Sequence, residues 1–263
     1  MIIIGEKING TIAKVGKAIV EKDEEYIREL AVRQAKAGAD YIDVCAGTSP
    51  EIEVEVLKWL IKIVQNAVDK PLCIDSPNPN SIAAVIGETN KPGILNSVSL
   101  EGNKCEVIYP LLQNTKWQVI GLTCDDNGIP SNVQTRIDIA RQIVEKADKY
   151  GISPDRIHID PLVIALATDN SSLINFVNTM QEIKKMHPDL KVTSGLSNIS
   201  FGMPMRRRVN QSFLSIAMFM GMDSAIMDPC DKKIMATYYI TQALLGKDKF
   251  CRNLSVAYRR GSI

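Results

Sequence analysis

Histidine is scarce in this sequence, and long apolar runs are missing altogether. Only His158 and His187 are present, and neither lies near a cysteine in the chain. No apolar stretch approaches the roughly 18 residues needed to cross a bilayer. Met1 leads straight into the strand-like IIIG, so no secretory signal is expected and the expected location is cytoplasmic. The six cysteines form no Cys-x-x-Cys pair, and so long a chain has no need of disulfide staples, so reduced thiols are expected. A zinc site built in space from Cys45, Cys73 and Cys124 would lack any supporting sequence spacing, and no metal is expected. Charge of one sign is also missing: 31 basic residues against 30 acidic ones leave a net charge of +1. Nothing in that balance favours nucleic acid or an anionic membrane as a partner. No Gly-x-Gly-x-x-Gly follows an early strand, which argues against a dinucleotide fold. Nor does any linker or low-complexity run divide the chain, so residues 1–263 are expected to form one domain.

What is present is an alternation. Short β-branched or apolar runs alternate with longer amphipathic ones, eight times over. The strands are expected at 2–4, 41–44, 72–74, 94–96, 118–122, 157–159, 192–195 and 224–227. Most are continuously hydrophobic, as parallel strands covered on both sides should be. Helices are expected over 23–37, 50–67, 79–87, 102–113, 133–149, 171–186, 209–220 and 231–245. The first carries acidic residues in its opening turn and stops at Gly38. The second places Ile52, Val56, Leu60 and Ile63 on one stripe, and Ser131 and Asn132 are placed to cap the fifth. The chain is close to the roughly 250 residues typical of a (β/α)₈ barrel, with 45% apolar and 23% charged residues. A single (β/α)₈ TIM barrel of the α/β class is therefore expected.

Barrel enzymes work at the carboxyl ends of their strands. Glu6 and Asn9 follow the first expected strand, Asp43 ends the second and Asp75 the third, and Asn96 and Ser97 close the fourth. Thr123 and Asp125 follow the fifth, Asp160 the sixth, Ser197 and Asn198 the seventh, and Asp228 the eighth. Any one of these could be no more than a turn or cap residue, because Asp, Asn and Ser favour both. The set is harder to dismiss, since the opposite loops show no such concentration. Lysine and histidine are nearly absent from these ends, which argues against a Schiff base or a metal-bound hydroxide. Carboxylates and amides together suit a nitrogen-rich heterocycle: carboxylates accept from ring N–H and NH₂ groups, and an amide donates and accepts at once. A phosphate site would need glycine-rich turns after the last two strands, and LSNISFGMP and MDPCDKK supply only Gly202. Among Arg206, Arg207 and Arg208, Arg206 lies nearest the turn and is the candidate to meet an anion. His158 shares a strand face with Asp160 and reads as an interior residue of a barrel layer.

The motifs GEKIN, YIDVCAG, CIDS, ILNSVS, GLTCDDNGIP, HIDPL and GLSNISFGMP occur in that order, each at a strand end. Together they resemble the pterin-binding methyltransferases. That family includes methyltetrahydrofolate:corrinoid/iron–sulfur protein methyltransferase, the folate domain of cobalamin-dependent methionine synthase, and tetrahydrofolate methyltransferases of corrinoid-dependent demethylation systems in anaerobic bacteria. The resemblance implies a methyltransferase acting between N5 of tetrahydrofolate, or methyltetrahydrofolate, and the cobalt of a corrinoid. It implies that Asp75, Asn96 and Asp160 hydrogen-bond the pterin ring and that Asn198 stands near N5. Glu6 and Asn9 of the GE(R/K)xN turn, and Arg206 on the substrate side of the seventh loop, are implied to bind the folate as well. Asn198 and Asp160 are the implied catalytic residues. A homodimer is also implied. Phe201 stands where one branch of the family has glutamine, which leaves the corrinoid partner and the direction of transfer open. The chain has no corrinoid domain of its own, so a corrinoid (cobalamin) protein is expected to dock transiently over the mouth. The alternatives are a dihydropteroate synthase-like enzyme and a non-catalytic folate-binding subunit. The first resembles the chain around GADYIDV, but neither its Ser-Thr-Arg-Pro-Gly loop nor its later Lys and Ser-x-Arg elements are evident.

Overall fold

A computed structural model describes all residues, 1–263. Eight strands, β1 (Ile2–Asn9), β2 (Tyr41–Cys45), β3 (Leu72–Asp75), β4 (Ile94–Leu100), β5 (Gln118–Asp125), β6 (Ile157–Asp160), β7 (Lys191–Val192) and β8 (Ser224–Met227), pair in parallel in the order β7-β6-β5-β4-β3-β2-β1-β8. Ten α-helices accompany them: α1 (Ala13–Glu21), α2 (Glu24–Lys36), α3 (Pro50–Ala67), α4 (Pro79–Val85), α5 (Lys104–Leu112), α6 (Val133–Asp148), α7 (Ser172–Met186), α8 (Arg206–Met220), α9 (Lys232–Leu244) and α10 (Arg252–Arg259). The expected barrel is present, and β7 is where its wall is thinnest. Only two residues of β7 pair as a strand, against the four expected. The gap to β8 is bridged by Asp223 N–H to the Val192 carbonyl at 2.9 Å, Ile226 N–H to the Ser194 carbonyl at 2.9 Å, and Val192 N–H to the Asp223 carboxylate at 2.7 Å.

Helix boundaries follow their caps. Asp23 accepts from Tyr26 N–H at the start of α2, and Asn132 accepts from Thr135 N–H at the start of α6. Gly38, at φ 104°, turns the chain out of α2 where a side chain would be strained. Helices α1 and α10 were not expected from the sequence. In α1 only Val15, Ala18 and Ile19 are buried, and in α10 only Ala257; both are additions to the one-helix-per-strand pattern that the alternation predicts. Helix α8 begins at Arg206 rather than 209, which puts the three arginines in its first turn.

Most of the core, 54 buried residues, lies between the sheet and its helices. The barrel interior is a separate small cluster of Ile4, Cys73, Ile94 and Ile120, with Ile2, Tyr41, Leu122 and Ile226 against it. Side chains two apart on a strand share a face. That alternation stacks three layers on the inward face. The floor is polar (Tyr41, Gln118, His158, Ser224), the middle is the apolar cluster, and the mouth is polar again (Glu6, Asp75, Asn96, Asp160).

Candidate active site at the barrel mouth

Strand register brings together residues that are far apart in the chain. Asp75 on β3 pairs with Asn96 on β4, Cys45 on β2 pairs with Asp75, and Leu122 on β5 pairs with Asp160 on β6. Glu6 reaches across to the turn after β7, where the Ser197 hydroxyl donates to its Oε1 at 3.4 Å. Lys7, beside it, pairs with Asp228 at 3.2 Å.

The carboxyls of this mouth are unusually hard to ionise. Burial pushes Asp160 up to about 7, against the backbone N–H groups of Leu162 and Gly195 that favour its charge. Burial, and then repulsion from Asp228, pushes Glu6 up to about 7. Burial likewise pushes Asp75 up to about 6. Asp43, which sits inward on β2 beneath Asp75, is raised well above the usual carboxylate range by burial and by Asp75's charge. Its Oδ1 is buried without a hydrogen-bond partner. Asp43 was visible in the sequence as a strand end but was not among the site residues expected there. Its signal was the two-residue spacing from Tyr41, which places both on the inner face.

Supporting residues hold these ends in place. The Glu53 carboxylate on α3 accepts from the Ser76 hydroxyl at 2.8 Å and the Ser81 hydroxyl at 2.5 Å, which ties the turn after Asp75 to the helices outside it. Arg136 on α6 is fully buried, and its Nη1 donates to the Pro161 and Leu162 carbonyls at 2.8 and 2.9 Å. Leu162, held at φ 60°, then donates its N–H to Asp160 Oδ1 at 2.8 Å. Arg136 therefore fixes the HIDPL turn from behind, a role that the spacing of helix α6 did not reveal. Gly10 and Ala46 approach so closely that a Cβ on Gly10 would lie 1.8 Å from the Ala46 carbonyl oxygen, which explains the glycine after GEKIN.

Asn198 is exposed, in the short 3₁₀ turn Leu196–Ser200. A Cβ on Gly195 would come within 2.9 Å of its Nδ2, so this glycine leaves the amide room to lie over the strand end. Arg206 is tied to the same turn, donating to the Ser200 hydroxyl and the Ser197 carbonyl at 3.2 Å each, with its guanidinium over the Phe201 ring. Asn9 stands apart from this group. Its Oδ1 accepts from Thr11 N–H at 2.9 Å and the Thr11 hydroxyl at 2.7 Å, which closes the β1–α1 turn. No three His, Cys, Asp or Glu side chains converge to hold a metal ion, and Cys45, Cys73 and Cys124 form no such group. What the mouth presents is a concave ring of acids and amides with acceptor capacity to spare, several of the acids poised between their charged and neutral forms. Such a ring can grip N–H and NH₂ edges and can take or give a proton near neutrality.

Fold and mouth define a (β/α)₈ barrel of the kind that grips a nitrogen heterocycle at its strand ends. Residues 5–228 match the family of pterin binding enzymes, and the chain belongs to that family. It is 53% identical over 265 residues to a methylcorrinoid:tetrahydrofolate methyltransferase of Eubacterium limosum, covering 100% of this chain and 98% of that protein. It is 28% identical over 240 residues to the methionine synthase of Mycobacterium tuberculosis, covering 86% of this chain but only 20% of that longer protein. Among solved structures, Yersinia pestis dihydropteroate synthase with a pterine-sulfa conjugate aligns at TM-score 0.70 and 17% identity, over 93% of both chains. Dihydropteroate synthase from Xanthomonas albilineans with 7,8-dihydropteroate aligns at TM-score 0.68 and 15% identity, over 93% of this chain and 92% of that one. At those identities the two structures speak to the fold alone.

Proposed function

We propose that this chain is a methyltransferase moving a methyl group between N5 of tetrahydrofolate and the cobalt of a corrinoid carried by a separate protein. The 53% identity to the Eubacterium limosum enzyme along the whole chain carries this reading, and the mouth supplies chemistry that suits it. Asp75, Asn96 and Asp160 hold the N–H and NH₂ edges of the pterin. Asn198 stands at N5, on its exposed turn. Glu6, Asn9 and Arg206 shape the rim behind them.

In the direction named for that relative, the N5 lone pair forms the new bond to carbon and N5 must lose its proton. The corrinoid supplies the methyl as an electrophile, its bond to cobalt breaking with the electron pair left on the metal. Asn198 accepts from the N5 N–H and stabilises the charge that develops there. Asp160, at about 7, is matched to receive the departing proton, and the backbone N–H of Gly195 links it to the turn that bears Asn198. In the opposite direction the same groups return a proton to N5 as the methyl leaves.

The apolar middle layer closes the barrel below, so the corrinoid reaches N5 only from outside, and we place the partner's transient docking on the rim, where Phe201 and Met205 stand exposed. A homodimer is the assembly we propose. The groove between α8 and α9, with Phe219, Ile240 and Leu244 exposed along it, favours a second copy there, to be tested by sedimentation. No helix is long and apolar enough to cross a membrane, and we place the protein in the cytoplasm.

Mixing the protein with tetrahydrofolate and methylcob(III)alamin tests the reaction, with visible absorbance following loss of the methyl–cobalt bond. The expected result is stoichiometric methyltetrahydrofolate. Folate binding without exchange would leave only a folate-binding subunit. Condensation of a pterin pyrophosphate with p-aminobenzoate would indicate a dihydropteroate synthase instead.

A further inference from the structure

Two adjoining clefts leave the mouth on the β1–β8 side and share Arg207, Asp228 and Asp231. The inner one is lined by Glu6, Ser197 and Arg206, and so opens directly from the candidate pterin site. The outer one runs between α2 and the start of α9, past Lys7, Arg33, Lys232 and Lys233. Its charge is lopsided in a chain whose net charge is only +1. Lys7 is taken up by Asp228 at 3.2 Å and Arg207 by Asp231 at 2.7 Å. Arg33, Lys232 and Lys233 are exposed and have no carboxylate partner, and Arg206 is held only by a neutral hydroxyl and a carbonyl.

Resting on the tetrahydrofolate reading above, we propose that this outer cleft binds the polyglutamate tail of the folate, so that the enzyme prefers polyglutamylated tetrahydrofolate. A ligand whose ring lies in the barrel must send its tail out of the mouth. Each γ-linked glutamate adds one α-carboxylate along an otherwise flexible chain. Arg206 meets the first carboxylate, and Arg33, Lys232 and Lys233 are spread along the outer cleft to meet those that follow. Because these contacts are exposed, each adds only a small factor, and three together amount to roughly 10–100-fold in affinity. Salt should erode that gain.

Calorimetry with tetrahydrofolate monoglutamate and triglutamate tests this. The triglutamate should bind roughly 10–100-fold tighter at low ionic strength, with the difference shrinking at high salt. The triple variant Arg33→Gln, Lys232→Gln, Lys233→Gln, at exposed positions, should abolish the difference and leave monoglutamate affinity as it was. Equal affinities for the two forms in the unaltered protein would overturn the proposal. An advantage that survives the triple variant would overturn the assignment to these residues. If the triple variant lowers exchange only with a protein-borne corrinoid while both folate affinities stay put, the patch serves an acidic partner protein and not the tail. If neither folate form binds, it is the underlying pterin reading that fails.

Discussion

The floor and the mouth of the barrel are both polar layers on the inward face, and they end in opposite states. On the floor, His158 is fully buried, yet both ring nitrogens are matched: Nδ1 to the Ser224 hydroxyl at 2.8 Å and Nε2 to Gln118 Oε1 at 2.9 Å. Lys191 also donates to Gln118 Oε1 at 2.7 Å. An ammonium can only donate, so that oxygen is the acceptor and His158 carries its proton on Nε2. Burial, and then the Lys191 charge, lower the His158 pKa to about 3, so the ring stays neutral. At the mouth, the carboxyls of Asp75, Asp160 and Glu6 are raised by burial, and so is that of Asp43 just beneath them, one of whose oxygens has no partner at all. A polar layer satisfied from within is architecture. A polar layer left wanting donors is waiting for a ligand.

The contrast can be broken at four points. At the mouth, Asn198→Ala should lower methyl transfer about 10²–10³-fold, the usual loss of one transition-state hydrogen bond, with the thermal midpoint unchanged. Stopped-flow absorbance would measure it, and an unchanged rate would remove Asn198 from the mechanism. On the floor, His158→Ala should cost about 2–3 kcal/mol of stability by orphaning the Ser224 hydroxyl and opening a cavity, while Gln118 Oε1 keeps Lys191 and the folded fraction keeps its turnover number. Denaturant melts paired with kinetics separate the two effects, and a large loss of turnover in the folded protein would give the floor a catalytic part.

Asp160→Asn should weaken tetrahydrofolate binding about 10-fold by calorimetry, since an amide replaces one of two acceptors; undiminished affinity would count against its contact with the ring. The smallest effect is in the unliganded protein. The Asp160 pKa, about 7 when folded, lies above the ordinary carboxylate value of 3.8. Its contribution to stability is therefore complete below about pH 4 and is lost as pH rises towards 7. At pH 8 the Asp160→Asn variant should melt on the order of 2–5 °C higher than the unaltered chain, and the gap should close by pH 4. A gap that persists at pH 4 would assign the change to packing.

Much of the barrel could be read directly from the chain. The eight apolar runs lie on the eight strands, and the polar residues after them lie on one rim, because βα alternation leaves parallel strands no other arrangement. Helices α1 and α10 were hidden because a count of one helix per strand leaves no place for a second helix between β1 and β2 or for one beyond α9. The short β7 was hidden because Thr193 and Ser194 keep only single bonds to their neighbours, Thr193 N–H to the Ile159 carbonyl and Ile226 N–H to the Ser194 carbonyl, so that pairing as a strand ends at Val192. In the candidate site, Asp75, Asn96, Asp160 and Asn198 were legible as strand-end residues. Arg136 was not, because nothing in an amphipathic helix marks one arginine as turned inward to hold a neighbouring loop.

By itself, then, the sequence determined the alternation, the inward and outward faces of each strand, and the kinds of group that crown them. Those are local properties, set by side-chain periodicity and turn chemistry. Only the tertiary structure decided which polar groups find partners. Whether Asp43 lies unpaired beneath Asp75, or His158 is matched on both nitrogens, depends on the register between strands that are tens of residues apart. Burial set by that register leaves the mouth's carboxyls near neutrality, and no residue's own chemistry specifies that.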